Sequence, residues 1–199
     1  MSVYQLSEYE YTMCVLFSEK SARSQRQIEF GSQNTAKRSL REVREDTLVG
    51  KMAEVAVVKM LREDYGLHLP VNYEVYPRGD WDDEDIIING LTVDVKATEK
   101  GHCLLLEKNK VDFRIAQGLF PDMIIMCKTN VEEMKVDIVG CISTRKLVEP
   151  NNPKVKRLEA GRYIPGTKVP VQADNYCVEF SDLSGIKTAF DYILSKQVV

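Results

Sequence analysis

Two β-branched runs joined by the dipeptide Asn89-Gly90 constrain the fold of this chain more than any other feature of its sequence. The runs cover residues 85–89 and 91–97, and Asn-Gly is the dipeptide that two-residue β-hairpin turns favour. The sequence therefore predicts a β-hairpin with a fixed register. That register places the carboxylates of Asp85 and Asp94 directly opposite each other, with their Cβ atoms about 5 Å apart.

Carboxylates that face each other across a hairpin require positive charge nearby, because like charges directly opposite on a sheet repel. Side chains alternate along a strand, so Lys96 is expected on the face of Asp94, whereas Val93 and Val95 point to the core. A hard divalent cation such as Mg²⁺ would supply further charge, since it binds one or two carboxylates together with water and substrate phosphate oxygens. The pattern at Asp85 and Asp94 therefore predicts a metal site with a lysine beside it.

Phosphodiester hydrolysis uses these parts. A metal ion orients the attacking water, lowers its pKa and neutralises charge that builds up in the transition state. A lysine beside the ion assists deprotonation of the water or stabilises the developing negative charge. The alternative is a surface salt-bridge cluster on an exposed face of the sheet. Against this alternative, the apolar residues 86–88 favour a strand buried on both sides, where a charge pair would be costly.

Helical periodicity dominates the first third of the chain, and strand patterns appear after it. Apolar positions three or four apart predict helices within residues 5–46 and a strong helix over residues 47–65 that ends at Gly66. Residues 149–175 hold four of the seven prolines and are predicted to form a surface excursion. The other predicted elements are strands at 73–76, 103–106, 123–127, 136–143 and 176–180, and helices at 110–118 and 183–195.

This order of elements predicts an α/β fold: a central mixed β-sheet flanked by helices, with an N-terminal helical extension. The length of 199 residues suits a single domain. Within that domain we expect the extension at residues 1–46 and the core at residues 47–145. A basic loop with a C-terminal strand and helix would complete the chain at residues 146–199.

The segment from Asp85 to Asp94-Val95-Lys96, an acid followed by a hydrophobic hairpin and an acid-x-lysine, resembles the PD-(D/E)XK, or restriction-endonuclease-like, nucleases. The family often carries a glutamate on a preceding helix, and Glu54 matches that acid. The resemblance implies that Asp85, Asp94 and Glu54 bind the metal, together with the backbone carbonyl of Val95. It also implies that Lys96 serves the attacking water.

The same resemblance implies a restriction-endonuclease-like core and a Mg²⁺-dependent hydrolysis of DNA, with Mn²⁺ as a substitute. RNA as the substrate stays open. Endonuclease action and a possible homodimer are expectations by analogy with the family.

Three alternatives stay open at the site. Glu54 could be a solvated helix residue. Asp82 or Asp83, from the acidic run at residues 80–85, could supply the first metal ligand if the hairpin register slips. Pro121-Asp122 is a literal PD dipeptide, but no acid-x-lysine follows it at a suitable distance, so we interpret it as the start of a strand.

The net charge of −3 does not exclude nucleic-acid binding, because basic residues gather at residues 37–44 and 154–168. These residues would hold substrate phosphates, with an affinity that weakens as salt increases. Alternatively, they are ordinary solvated faces. The candidate nucleic-acid contacts are Lys108, Lys110, Arg114, Gln117, Arg38, Arg41, Lys156 and Arg157.

Composition argues against several other classes of protein. The five cysteines are scattered singly and none has zinc-site spacing, so reduced cysteines are expected. No apolar run approaches the ~20 residues that cross a bilayer. Residues 1–5 do not resemble the start of a signal peptide. We therefore expect a cytoplasmic protein that does not bind membranes, and we expect His102 to be an exposed loop residue.

The leading hypothesis is thus a Mg²⁺-dependent DNA endonuclease. A second hypothesis is a non-catalytic nucleic-acid-binding module on the same fold, although such a module has no physical need for opposed carboxylates. A third is a structural or interaction protein whose acidic patch docks a basic partner.

Overall fold

The computed structural model describes residues 2–25, 39–75 and 85–195. The strands are β1 (Ser2–Gln5), β2 (Ile86–Ile88), β3 (Leu91–Thr98), β4 (Cys103–Glu107), β5 (Met123–Asn130), β6 (Lys135–Ser143), β7 (Lys156–Leu158) and β8 (Asn175–Glu179). The helices are α1 (Glu8–Gln25), α2 (Leu40–Tyr65), α3 (Lys108–Ala116), α4 (Thr144–Val148) and α5 (Ile186–Ser195), with a 3₁₀ turn at Phe180–Asp182.

The main sheet has five strands in the order β1-β6-β5-β3-β2. Strands β3 and β5 run parallel, and the other neighbouring pairs run antiparallel, so the sheet is mixed. Helix α2 packs against the sheet, and α1 packs against α2. This arrangement confirms the predicted α/β class with a mixed sheet and helices.

Helix α2 is fixed at both ends by its own sequence. Ser39 and Glu42 form a capping box at its start, and Gly66, with φ of 68°, ends it in the left-handed conformation. The helix therefore begins at Leu40, whereas the periodicity predicted a start at residue 47. Its buried apolar side chains share one core with the α2-facing side of the sheet; members of this core include Met52, Ala56, Val57, Val93, Val95, Ile125 and Cys127.

A second, three-stranded sheet in the order β4-β8-β7 was not predicted. Alternate residues of β5, Ile124 and Met126, form a separate core with Leu104 and Val178 of this second sheet. The prediction of one sheet flanked by helices is therefore wrong for the face of the main sheet that carries Ile124 and Met126. The strand predicted at residues 176–180 exists as β8 but belongs to the second sheet, because strand patterns alone do not reveal which strands pair.

The sequence predicted a helical N-terminal extension, but this segment is not helical throughout. Strand β1 pairs with β6 at the edge of the main sheet. Strand β1 has only four residues, with Tyr4 buried and Val3 exposed, which is too short for a periodicity signal. The short elements β7 and α4 were likewise not predicted. Residues 73–75 form no strand, contrary to expectation, and residue 76 lies outside the described residues.

All five cysteines are buried and unbridged. Within the described ranges, no helix combines the length and the apolar character that crossing a membrane requires.

Gly140 in β6 allows the segment after the 3₁₀ turn to approach the sheet. A Cβ atom at this position would lie 2.7 Å from the Ser184 carbonyl oxygen and 2.9 Å from the Leu183 Cβ atom. The neighbouring Cys141 and Ser184 exchange two backbone hydrogen bonds of 2.9 Å. Added volume at Gly140 must therefore displace backbone.

We expect Gly140→Ala to lower the free energy of unfolding by about 1–3 kcal/mol, the usual cost of overpacking. Urea denaturation measures this change. The matched control is Gly50→Ala inside α2, where an added Cβ meets no atom within 4 Å. This variant should gain up to ~1 kcal/mol from helix propensity. An unchanged midpoint for Gly140→Ala would contradict the close approach.

Candidate active site

The hairpin has the predicted register. Ile86 pairs with Val93 and Ile88 pairs with Leu91 across an Asn89-Gly90 turn. Asn89 and Gly90 have φ values of 54° and 78°. Two positive φ values are what a type I′ turn requires, and this turn matches the twist of the strands it joins.

Asp85 lies immediately before β2, at the end of the hairpin. One of its carboxylate oxygens, Oδ2, accepts a hydrogen bond of 2.6 Å from the backbone N–H of Val95. The side chain thus satisfies a donor of β3 at the point where the main-chain pairing with β2 stops. Asp85 is therefore held against the strand that carries Asp94.

Asp94 and Lys96 lie on one face of β3, opposite to the buried Val93 and Val95. The Lys96 Nζ atom lies 2.8 Å from Oδ1 and 2.7 Å from Oδ2 of Asp94. The Lys96 side chain is 45% exposed, whereas that of Asp94 is 18% exposed. The acid is thus largely enclosed, and the lysine beside it reaches solvent.

Glu54 on α2 adds a third carboxylate. Its side chain is 19% exposed, so it is not the solvated helix residue of the alternative interpretation. Burial, followed by the negative charge of Asp85, raises the pKa of Glu54 to about 7. Burial, followed by the negative charge of Asp94, raises the pKa of Asp85 to about 6. Neighbouring carboxylates therefore oppose the ionisation of both Glu54 and Asp85.

One premise about the hairpin was wrong. Residues 86–88 suggested a strand buried on both sides, but Ile87 is 57% exposed, so β2 is buried only on the side of Ile86 and Ile88. Burial of β2 therefore does not exclude a salt-bridge cluster. Asp85 and Glu54 differ from such a cluster because burial raises their pKa values.

The donor set fits a hard divalent cation by its chemistry. Asp85, Asp94 and Glu54 offer carboxylate oxygens, the type of ligand that Mg²⁺ prefers. Their mutual repulsion is what such an ion would relieve. In the described segments, no three histidine, cysteine, aspartate or glutamate side chains are arranged as a ready metal site.

Lys51 is a site residue that the sequence analysis missed. It is 6% exposed and contacts Glu54 one helical turn along α2. Its positive charge lowers the pKa values of Glu54 and Asp85 against the effect of burial. The available signal was a lysine three residues before the glutamate on an otherwise apolar side of a helix.

Asp122 of the literal PD dipeptide has a structural partner. Its Oδ2 atom accepts hydrogen bonds from the backbone N–H and the hydroxyl of Thr92, at 2.9 and 3.1 Å. The Asp122 N–H in turn donates to the Thr92 carbonyl at 3.0 Å. These bonds join the start of β5 to β3, in agreement with the interpretation of this dipeptide as the start of a strand.

Two of the candidate nucleic-acid contacts come together on the second sheet. The Lys108 Nζ atom lies 5.8 Å from the centre of the Tyr176 ring, and the Arg157 Cζ atom lies 5.9 Å from it. Asp112 contacts Lys108 and accepts a hydrogen bond of 2.9 Å from the Tyr176 hydroxyl. Lys108 and Arg157 therefore approach the same ring, and Lys108 is paired with Asp112.

The remaining candidates are dispersed. Lys110 and Arg41 form ion pairs of 2.7 Å with Glu107 and Glu45. Lys156 contacts Glu179. Arg114 donates to the Leu119 carbonyl at 3.0 Å, and Gln117 is exposed at the end of α3. Arg38, Asp82 and Asp83 lie outside the described residues. His102 is exposed, as expected, with its Nε2 atom against the Pro165 carbonyl.

The described fold is an α/β arrangement with a carboxylate-rich cluster at the edge of its main sheet. No protein-family model, curated protein or solved structure matches the chain.

Proposed function

We propose that this chain is a Mg²⁺-dependent nuclease of the PD-(D/E)XK type, with a restriction-endonuclease-like core and with DNA as its substrate. One observation carries the proposal. Glu54 and Asp85 have pKa values raised by burial and by neighbouring carboxylates, with Asp94 held by the partly exposed Lys96. Perturbed carboxylates beside an accessible lysine are typical of catalytic rather than structural sites.

In this proposal, Asp85, Asp94 and the Val95 carbonyl hold Mg²⁺, with Glu54 completing or orienting the site. The ion would supply charge neutralisation and an activated water. Asp94 orients the Lys96 ammonium through the 2.7 Å contact. Lys96 hydrogen-bonds the attacking water or the negative charge that develops on the phosphate.

Lys108 and Arg157 are the candidates that the structure best supports for holding the DNA backbone. Both lie within 6 Å of the Tyr176 ring, and the described acidic partner of Lys108 is Asp112. A phosphate beside them would find net positive charge, with an affinity that decreases as salt increases.

Cleavage assays test the proposal. Purified protein is incubated with supercoiled plasmid, linear duplex, single-stranded DNA and RNA, each in Mg²⁺, Mn²⁺ or EDTA. We expect plasmid nicking or linearisation in Mg²⁺ and Mn²⁺ and none in EDTA. Asp94→Ala, purified in the same way, controls for a contaminating nuclease and should be inactive. Failure of the wild type to cut any of these substrates would contradict the proposal.

A second candidate is a nucleic-acid-binding module without catalysis. It is favoured by the fact that Asp85 already bonds the Val95 amide and Asp94 already pairs with Lys96. Such a module would bind DNA with equal affinity in Mg²⁺ and in EDTA, and it would leave every substrate intact. Calorimetric titration with Mg²⁺ would then show no heat of binding.

A further inference from the structure

Lys51 is a buried cation at the centre of three chain segments. Its Nζ atom contacts the Glu54 carboxylate on α2 and donates a hydrogen bond of 2.9 Å to the carbonyl of Asn72. The same atom lies 4.3 Å from the centre of the Phe17 ring on α1. One ammonium group thus joins α1, α2 and the chain after α2 at the position of Glu54.

These contacts enclose the ammonium. A lysine has three N–H donors and no acceptor. The described partners of Lys51 are two oxygen atoms and an aromatic face, which attracts cations. Lys51 is only 6% exposed, in contrast to Lys96, whose side chain is 45% exposed.

Burial of an ammonium is costly unless its partners compensate for the lost hydration. An apolar residue would fill this space in the core more cheaply. The reason to keep a lysine here must therefore involve the charge it presents. That charge is directed at Glu54, the carboxylate on which the charges of Asp85 and Asp94 also act.

We propose that Lys51 is a positioning residue: it holds the Glu54 carboxylate towards Asp85 and Asp94, and it ties α1 and the Asn72 segment to the site. The inference rests on the proposed metal-dependent function. Groups that orient metal-binding side chains typically contribute 10- to 100-fold in metal affinity. Lys51 acts on the metal site through Glu54, so its effect on metal affinity should require an intact Glu54 carboxylate.

A double-mutant cycle in Mn²⁺ affinity tests this inference. The dissociation constant is measured by calorimetry for the wild type, Lys51→Met, Glu54→Gln and the double variant. We expect Lys51→Met to weaken Mn²⁺ binding about tenfold. In the Glu54→Gln background the same change should have no further effect, because the group that Lys51 positions is already altered.

The opposite outcomes overturn the inference. If Lys51 were only a nearby charge, its removal would strengthen Mn²⁺ binding in both backgrounds, since a cation repels a cation. Unchanged Mn²⁺ affinity in Lys51→Met would overturn this inference but not the proposed function. Absence of Mn²⁺ binding by the wild type would overturn the proposed function as well. If Lys51→Met does not fold, Lys51→Arg takes its place. A positioning role predicts that Lys51→Arg binds Mn²⁺ more weakly, whereas a role as a mere charge predicts unchanged affinity.

Lys59 provides the matched control on the same helix. Its Nζ atom also contacts a glutamate and a backbone carbonyl, Glu10 at 3.2 Å and Gln5 at 2.7 Å, and its side chain is 18% exposed. Lys59→Met removes a similar ion pair that does not involve the carboxylate cluster. Its Mn²⁺ affinity should equal that of the wild type. An equal loss in both variants would mean that helix α2 is merely destabilised, and it would overturn the role of Lys51.

Discussion

The Lys96→Met variant is expected to lose metal-dependent DNA cleavage by about 100- to 1,000-fold, the usual cost of removing one group that stabilises charge in a transition state. Lys96 is the lysine that both contacts Asp94, at 2.7 Å, and reaches solvent, with 45% of its side chain exposed. Methionine has a similar length and no charge. DNA binding in EDTA should change far less than the cleavage rate, because a single exposed cation contributes little to affinity.

Lys135 offers an unusually close control for this prediction. It forms an ion pair of 2.7 Å with Glu133, two residues before it, and its side chain is 46% exposed. Glu133-Met134-Lys135 is thus an acid-x-lysine with an ion pair of the same length, located in the turn that leads into β6 and not beside the buried carboxylates. Lys135→Met should cleave DNA as the wild type does. Equal activity of Lys96→Met and the wild type would remove Lys96 from the mechanism.

The hairpin was predictable because every interaction that defines it is local. The Asn89-Gly90 turn fixed the pairing of β2 with β3, and the structure has that pairing. The alternation of side chains correctly placed Val93 in the core and Asp94 on the opposite face. Helix α2 was also predictable from its apolar periodicity and from Gly66.

Features that depend on distant parts of the chain were not predictable. Strand β1 pairs with β6, which lies more than half of the chain away, and the four residues of β1 contain no pattern that predicts this pairing. Strands β4 and β8 were recognised as strands, but their assignment to a second sheet depends on the core around Ile124 and Met126. Lys51 escaped notice because its partners, Phe17 and Asn72, approach only after folding.

The free energy of unfolding of the metal-free protein is expected to fall by ~3 kcal/mol as the pH rises from about 5 to about 8, since each unit of pKa shift is worth about 1.4 kcal/mol. The pKa of Glu54 rises from 4.5 to about 7 in the folded state, and that of Asp85 rises from 3.8 to about 6. The folded protein thus retains protons that the unfolded chain releases, so stability decreases with rising pH.

Other carboxyls do not mask this trend. Folding lowers the pKa values of Glu10, Asp112, Glu133 and Glu179. These groups stabilise the folded state at pH values above their ordinary pKa values, which are 4.5 for glutamate and 3.8 for aspartate. They lose that contribution only as the pH falls below this range. Urea denaturation at several pH values in EDTA would measure the slope. A flat profile would contradict the raised pKa values.

Two variants and one cation then connect this slope to function. Glu54→Gln removes one of the two titrating groups and should reduce the slope, whereas Glu133→Gln, at an exposed ion pair, should keep it. Because metal ligands must be deprotonated, Mg²⁺ should stabilise the wild type most at high pH and reduce the slope. A slope that decreases in Glu54→Gln but is unchanged by Mg²⁺ would mean that the carboxylates repel one another without sharing a cation. That result would favour the binding module over the nuclease.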